Sequence, residues 1–323
     1  MKVSICMLTY NHEKFIREAI EGVLMQDCDF ELEFILANDC STDKTDYVIQ
    51  NILKNHPKAS CIKYVKQDEN IGMMPNFVFA MNQCKGKYIA LCEGDDYWTD
   101  PLKLQKQVNF LETNPDYVLC FHKVSILKTN GEIVDDFITK VPENYETIET
   151  LARLGNYIHT PSVVFRKVIE RFPFEFEKSP IGDYFLYIML AEYGKLKCLE
   201  EKMAIYRGGV GIWSDKSIYF RSLNTAVLHT YMFDYFSGKE NHLILGILLE
   251  RIGKFIKKFE YQISKDDLTN LCSNKIIRTS IFDLLLTNLE QLKNESIEKK
   301  KTVELIQIIF RRAKKRIWNK LNL

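Results

Sequence analysis

Two acidic residues, Asp95 and Asp96, stand side by side after the apolar run 88–92 and before two large aromatics, Tyr97 and Trp98. Hard divalent cations seek carboxylate oxygens. A cation that bridges a diphosphate needs only one or two of them from the protein, because phosphate oxygens and water complete its coordination. An adjacent acidic pair can equally be a solvated turn; its place at the end of an apolar run favours a site. Other polar groups gather in the same way after other apolar runs: Thr9, Tyr10 and Asn11 after 3–8, Asp39 after 34–37, Asn70 and Gly72 after 62–65. Farther along, Asp183 opens a helical pattern, where an acid suits the helix dipole.

These residues must be carried by alternating strands and helices. The runs 3–8 and 34–37 are short and almost wholly apolar, which suits strands buried on both faces, and 62–65 and 88–92 read as two further strands. Between them Phe15, Ile16, Ala19, Ile20, Val23 and Leu24 recur at helical spacing, with Asn11 as the expected N-cap. Tyr47, Val48, Ile52 and Leu53 mark a second helix, capped by Ser41 or Thr42, and a third is expected near 76–83. Four strands alternating with three helices imply an α/β fold, a mostly parallel sheet with helices on both faces, in which ligands bind at the carboxyl ends of strands. The four polar loops converge on that edge. Beyond them the sequence predicts a helix at 101–111, a long strand at 117–127 closed by a type I′ turn at Asn130-Gly131, short strands at 163–165, 196–199 and 203–206, and a helix at 182–193. Only helical patterns follow residue 219.

Taken in order, the motifs resemble those of family 2 glycosyltransferases of the GT-A fold. They are Val3-Ser4-Ile5-Cys6-Met7-Leu8-Thr9-Tyr10-Asn11, Asn38-Asp39-Cys40-Ser41-Thr42-Asp43, Asn70-Ile71-Gly72, Glu93-Gly94-Asp95-Asp96-Tyr97-Trp98, His159-Thr160-Pro161-Ser162 and Gly182-Asp183-Tyr184-Phe185-Leu186. The resemblance spans about residues 1–215. It implies a GT-A catalytic domain at 1–215, with a nucleotide-binding half at 1–100 and an acceptor-binding half at 101–215, followed by a helical region at 216–323. The activity it implies is inverting transfer of a sugar from a nucleotide-sugar donor, UDP-linked, to a glycan or lipid-linked glycan of a surface polysaccharide.

Carried over residue by residue, Thr9, Tyr10, Asn11, Asp39, Asn70, Gly72 and Asp95 would bind the nucleotide sugar, Asp39 accepting from the uracil N3–H. Asp96 would hold Mn²⁺ or Mg²⁺, Glu93 standing where relatives carry the first Asp of an Asp-x-Asp-Asp run. Asp183 would be the catalytic base. Trp98, His159, Tyr184, Phe185, Arg207 and Trp213 are candidates for the acceptor pocket; Trp98 suits the core as well, and His159 suits a structural role. Where relatives often carry Tyr-Arg-x-His-x-Gly-Gly-x-Trp-Ser, this chain reads Tyr206-Arg207-Gly208-Gly209-Val210-Gly211-Ile212-Trp213-Ser214. The His is missing; if it helps relatives hold the metal or diphosphate, another residue must do so here, and Arg207 is one candidate.

Other classes fit less well. No Gly-rich loop follows the first strand, which disfavours nucleotidyl transfer and dinucleotide binding; a non-catalytic nucleotide-sugar-binding relative is the alternative. Net charge is +1, so bulk charge calls for no nucleic-acid partner. The nine cysteines are scattered without a Cys-x-x-Cys pair and read as packed free thiols in a reducing compartment. No leader pattern opens the chain and no apolar run approaches 18 residues, so a cytoplasmic or peripheral inner-membrane location is expected. Between Phe310 and Leu323 lie six basic residues and no acidic one. This tail could lie on an anionic membrane surface or pack as a last solvated helix.

Overall fold

The computed structural model describes residues 3–211, 216–239 and 241–259, with positions 262–264, 266, 267 and 271 beyond them. The chain divides into two units, Met1–Phe172 with Gly182–Lys216, and Pro173–Ile181 with Ser217–Leu323.

In the first unit β1 (Val3–Thr9) leads to α1 (Ile16–Leu24), β2 (Leu32–Asn38), α2 (Thr45–Asn55), β3 (Ile62–Lys66), α3 (Met73–Gln83) and β4 (Tyr88–Leu91). β1, β2 and β4 are buried along nearly their whole length, which explains their mostly apolar character. α1 turns Ile16, Ala19, Ile20, Val23 and Leu24 inward, the face that the spacing anticipates. β3, β2, β1 and β4 are parallel neighbours in that order. The chain therefore leaves β1 on one side and returns on the other, which makes the β1/β4 edge a topological switch point.

After β4 the chain crosses to β5 (Tyr97–Trp98), then α4 (Lys103–Thr113), β6 (Tyr117–Leu127), β7 (Ile133–Asp135), α5 (Ile148–Leu154) and β8 (Val164–Arg166). In the second unit α6 (Phe174–Lys178) packs on α8 (Ile218–Ser237), which pairs with α9 (His242–Phe259); the first unit also holds α7 (Asp183–Leu190) and β9 (Lys195–Arg207). The sheet continues β4-β8-β6-β9-β5, with β7 on β6. β8 is antiparallel to both β4 and β6, while β6 and β9 are parallel. β1, β2, β3, β4, β6 and β9 thus all point their carboxyl ends to one edge. No described helix is long and apolar enough to cross a membrane.

Several local expectations are corrected. Asn11 does not cap α1. It adopts the left-handed region (φ 56°), and the helix starts five residues later. Ser41 and Thr42 do not cap α2; the Asp43 carboxylate accepts from the Thr45 N–H at 2.9 Å instead. At the β6–β7 hairpin only Gly131 has positive φ (85°), and the Lys128 carbonyl accepts from the Gly131 N–H at 2.9 Å. A type I′ turn needs positive φ at two central residues, so this is an ordinary turn followed by a left-handed glycine. The two short strands expected at 196–199 and 203–206 are one strand, β9, whose pairing with β6 is interrupted by register shifts.

Trp98 is only 2% exposed. Its Nε1–H donates to the Pro161 carbonyl at 2.8 Å, and Gly22 of α1 lies so close that a Cβ there would sit 2.9 Å from the Trp98 backbone N and O. Lys103, fully buried at the start of α4, lies 4.1 Å from the centre of the Trp98 ring and donates to Gln107 Oε1 at 2.8 Å. Burial pushes the ammonium down to about 7. The folded chain therefore releases a proton above pH 7 that the unfolded chain keeps to about pH 10.4, so Lys103 makes stability rise with pH there, by at most about 1.4 kcal/mol per pH unit. Chemical denaturation of the wild type and of Lys103→Met between pH 7 and about 8.5, before unfolded thiols titrate, should show a wild-type slope more positive by up to this amount, whatever the buried carboxyls add to both; equal slopes would show that the ammonium is not desolvated.

Candidate active site

The loops after β1, β2 and β3 are laced together by side chains that accept from main-chain N–H groups. Asn11 Oδ1 accepts from the Thr42 N–H at 2.8 Å, and the Asn11 N–H donates to Ser41 Oγ at 3.0 Å. Ser41 in turn donates through its N–H and its hydroxyl to Asn38 Oδ1, at 2.9 and 2.6 Å. Asp39, 4% exposed, accepts from the Ile71 N–H on one oxygen at 2.8 Å and from the Gly72 N–H on the other at 3.0 Å. Asn70 Oδ1 also accepts from the Gly72 N–H at 3.1 Å. Gly72 has φ 90°, a conformation that glycine adopts without strain. Tyr10, beside Asn11, is 36% exposed.

The loop after β4 holds the acidic cluster. Glu93, Asp95 and Asp96 each offer an oxygen, and the three lie within 4.8 Å of one another. The loop is pressed against the end of β1: the Gly94 N–H donates to the Leu8 carbonyl at 2.9 Å. A Cβ on Gly94 would meet Thr9 Oγ1 and His12 Nδ1, each at 2.8 Å. Asp96 is 1% exposed. Its Oδ1 accepts from the Arg207 N–H at 2.8 Å, and its Oδ2 is buried with no partner among the described residues.

The electrostatics follow from crowding. Burial first, then the charge of Asp95 and of Asp183, raises Glu93 to about 8. Burial, then Asp95 and Glu93, pushes Asp96 well above the usual carboxylate range. Three clustered carboxylates, two of them raised and one with a buried oxygen that is unpartnered among the described residues, form a donor set suited to a hard divalent cation. Arg207 only partly offsets them. Its guanidinium donates to the Asp95 carbonyl at 2.6 Å and to Glu18 and lies over the rings of Phe15 and Tyr97 at 5.0 and 4.7 Å.

Asp183 opens α7. Its Oδ1 accepts from the Tyr184 N–H at 2.7 Å and its Oδ2 from Asn156 Nδ2 at 2.9 Å. Burial raises its carboxyl, and those two hydrogen bonds and His159 pull the other way. His159, 9% exposed, meets Asp136 Oδ2 through Nε2 at 2.9 Å, and its ring lies 4.7 Å from that of Tyr206.

The structure thus brings Thr9, Asp95 and Asp96 together, sets Asp183 within electrostatic reach of Glu93, and ties Asn11, Asp39, Asn70 and Gly72 into one loop network. Three residues expected in the acceptor pocket are corrected. Trp98 is core, Tyr184 is 3% exposed with its hydroxyl on the Leu151 carbonyl at 2.9 Å, and Phe185 is fully buried. Arg207 lies against the acidic loop, with its guanidinium engaged by the Asp95 carbonyl and Glu18. Trp213 lies outside the described residues. Sequence reasoning passed over Glu93 as a cation ligand, although its spacing from Asp95 and Asp96 signalled it. It also passed over His12, Asp136 and Asn156, which no motif marks.

The sequence profile of "Glycosyl transferase family 2" matches residues 4–172. An uncharacterized protein of Mycobacterium tuberculosis, Rv1520, is 37% identical over 212 residues, 65% of this chain and 60% of its own; the chain thus spans three fifths of that relative. A Bacillus subtilis protein named as a candidate teichuronic acid biosynthesis glycosyltransferase, TuaG, is 30% identical over 136 residues, 42% of this chain and 52% of its own. The crystal structure of Staphylococcus aureus TarS 1-349 in complex with UDP-GlcNAc superposes with a TM-score of 0.60 at 17% identity, covering 98% of this chain and 92% of that one, which is a likeness of fold.

Asp96 offers a direct check on the cluster. A carboxyl whose folded pKa is raised destabilises the fold increasingly as pH climbs above its unfolded value of about 4. Asp96→Asn should therefore stabilise the metal-free protein at neutral pH, by about 1–2 kcal/mol, and at the same time remove the rise in Tm produced by Mn²⁺. A Mn²⁺-induced rise that survives the substitution would place the cation elsewhere.

Proposed function

The chain belongs to glycosyl transferase family 2, and from that premise we propose that it transfers a sugar, with inversion, from a UDP-linked donor to a hydroxyl of a surface glycan or lipid-linked glycan. The observation that carries this reading is the acidic cluster with its unpartnered Asp96 oxygen, within electrostatic reach of Asp183. The uridine and glycan assignments draw support from what TarS binds and from how TuaG is named.

In this reading Thr9, Tyr10, Asn11, Asn70 and Gly72 line the nucleotide pocket and Asp95 contacts the ribose or donor sugar. Asp39 already accepts one main-chain N–H on each oxygen, and each oxygen keeps a second lone pair, so the uracil N3–H has an acceptor that cannot turn away. Glu93, Asp95 and Asp96 would hold Mn²⁺ or Mg²⁺, which when bound neutralises charge on the diphosphate leaving group. Asp183 removes the proton of the acceptor hydroxyl as that oxygen attacks the anomeric carbon on the face opposite the diphosphate. One base and one displacement suffice, and the configuration inverts. Arg207 holds Asp95 and Asp96 from behind.

The cation-rich segment 310–323, which lies outside the described residues, suits an anionic membrane surface where lipid-linked acceptors are found. Deleting the chain after Glu304 should release the protein from vesicles containing anionic lipid, and unchanged partitioning would dismiss that role. For the donor, thermal shift against UDP, GDP and a panel of their sugars, with Mn²⁺, Mg²⁺ or chelator, should give a cation-dependent rise with UDP and one UDP-sugar. A ligand at a hundredfold its Kd stabilises by about 2.7 kcal/mol. Asp183→Asn should keep that rise and lower transfer by about 10²–10⁴-fold; full transfer by Asp183→Asn would remove Asp183 from the base role.

A further inference from the structure

A general base must present a lone pair in a fixed direction, and an aspartate at a helix start can turn about both side-chain torsions unless something holds it. Asn156 supplies the hold. It follows Gly155, whose φ of 93° ends α5. Asn156 Oδ1 accepts from the Ile158 N–H at 3.0 Å, so only its NH₂ is left to face outward. That NH₂ donates to Asp183 Oδ2 at 2.9 Å, while Oδ1 takes the Tyr184 N–H at 2.7 Å. The hydroxyl of the same Tyr184 donates to the Leu151 carbonyl in the last turn of α5, so the end of α5 and the start of α7 are joined by two independent bonds. The Asn156 side chain is itself exposed, and an exposed amide contributes little to the core.

We propose that Asn156 is a positioning residue for the transfer, fixing the Asp183 carboxylate so that its remaining lone pairs meet the acceptor hydroxyl. This rests on Asp183 acting as the base. The other ionisable groups that act on Asp183 are His159, Glu93, Tyr187 and Tyr206. None of them is altered by changing Asn156, so any change in Asp183 reports the amide.

The test is a carboxyl-carbon NMR titration of the full chain labelled at aspartate, with the Asp183 resonance identified by its loss in Asp183→Asn. Asn156→Ala should raise the Asp183 midpoint by about one pH unit, as expected when an ionised carboxylate loses a donor. Asn156→Asp should raise it further by adding a like charge, with Tm nearly unchanged in both. UDP release from UDP-GlcNAc with Mn²⁺ should fall about tenfold in kcat for Asn156→Ala at unchanged KM. An unmoved midpoint, or a moved midpoint with wild-type kcat, overturns the proposal. Wild-type UDP release by Asp183→Asn would overturn the base assignment instead, and the titration, which needs no turnover, would still decide whether Asn156 holds the carboxylate.

Discussion

The candidate site depends on one hydrogen bond, from the Arg207 N–H to Asp96 Oδ1. It is possible because β5, two residues long, pairs with the last turns of β9, Tyr97 opposite Ile205 and Trp98 opposite Ala204. The acidic loop is therefore the strap between the parallel half of the sheet and its far edge. Once Trp98 is buried and Arg207 is fixed over Phe15 and Tyr97, Glu93, Asp95 and Asp96 are held near one another in a place that water reaches poorly. Left alone, like charges so close would neutralise by taking up protons, and the raised Glu93 and Asp96 carboxyls are that tendency expressed. The fold supplies a main-chain donor for one Asp96 oxygen and, among the described residues, none for the other.

A second constraint acts on the opposite side of the switch point. The loops after β1, β2 and β3 have no regular structure to satisfy their backbones, so side chains accept the N–H groups. Asn11, Asn38, Asp39, Ser41 and Asp43 all serve a loop other than their own or a neighbouring turn. Asn11, Cys40 and Gly72 adopt left-handed conformations within this lacework. The polar residues that look like ligand contacts are thus also the fasteners of the pocket, and Asp39 does both only because a carboxylate oxygen has two lone pairs.

The sequence made the parallel half legible because burial on both faces leaves nearly unbroken apolar runs at 3–8, 34–37 and 88–92, and a helix against them shows its face at α1. The second half was less legible. β9 carries Glu200, Glu201 and Lys202 in its middle, where register shifts against β6 interrupt the ladder, so one strand read as two. Trp98, Tyr184 and Phe185 show that an aromatic beside an acidic motif carries no mark of whether it faces solvent or core. Asn11 read as a cap because capping is local, whereas its partner Thr42 is 31 residues away. The role of Arg207 was invisible for the same reason: it meets Asp96 across 111 positions.

Glu93 links the two ends of the chemistry. Its carboxyl is raised first by burial, then by Asp95 and by Asp183, and electrostatic interactions are reciprocal, so an ionised Glu93 also acts to raise Asp183. An ionised Glu93 without a counterion would make Asp183 a stronger base in proton affinity but a poorer one in readiness, since it would tend to be protonated already. A protonated Glu93 would free Asp183 and weaken the cluster as a cation site. A cation held by the cluster would offset the charge of Glu93 and Asp96 and leave Asp183, the proposed base, free to accept a proton. The hydrogen bonds from the Tyr184 N–H and from Asn156 act in the same direction on Asp183, so the carboxylate proposed as the base is held by two donors against an acidic neighbourhood.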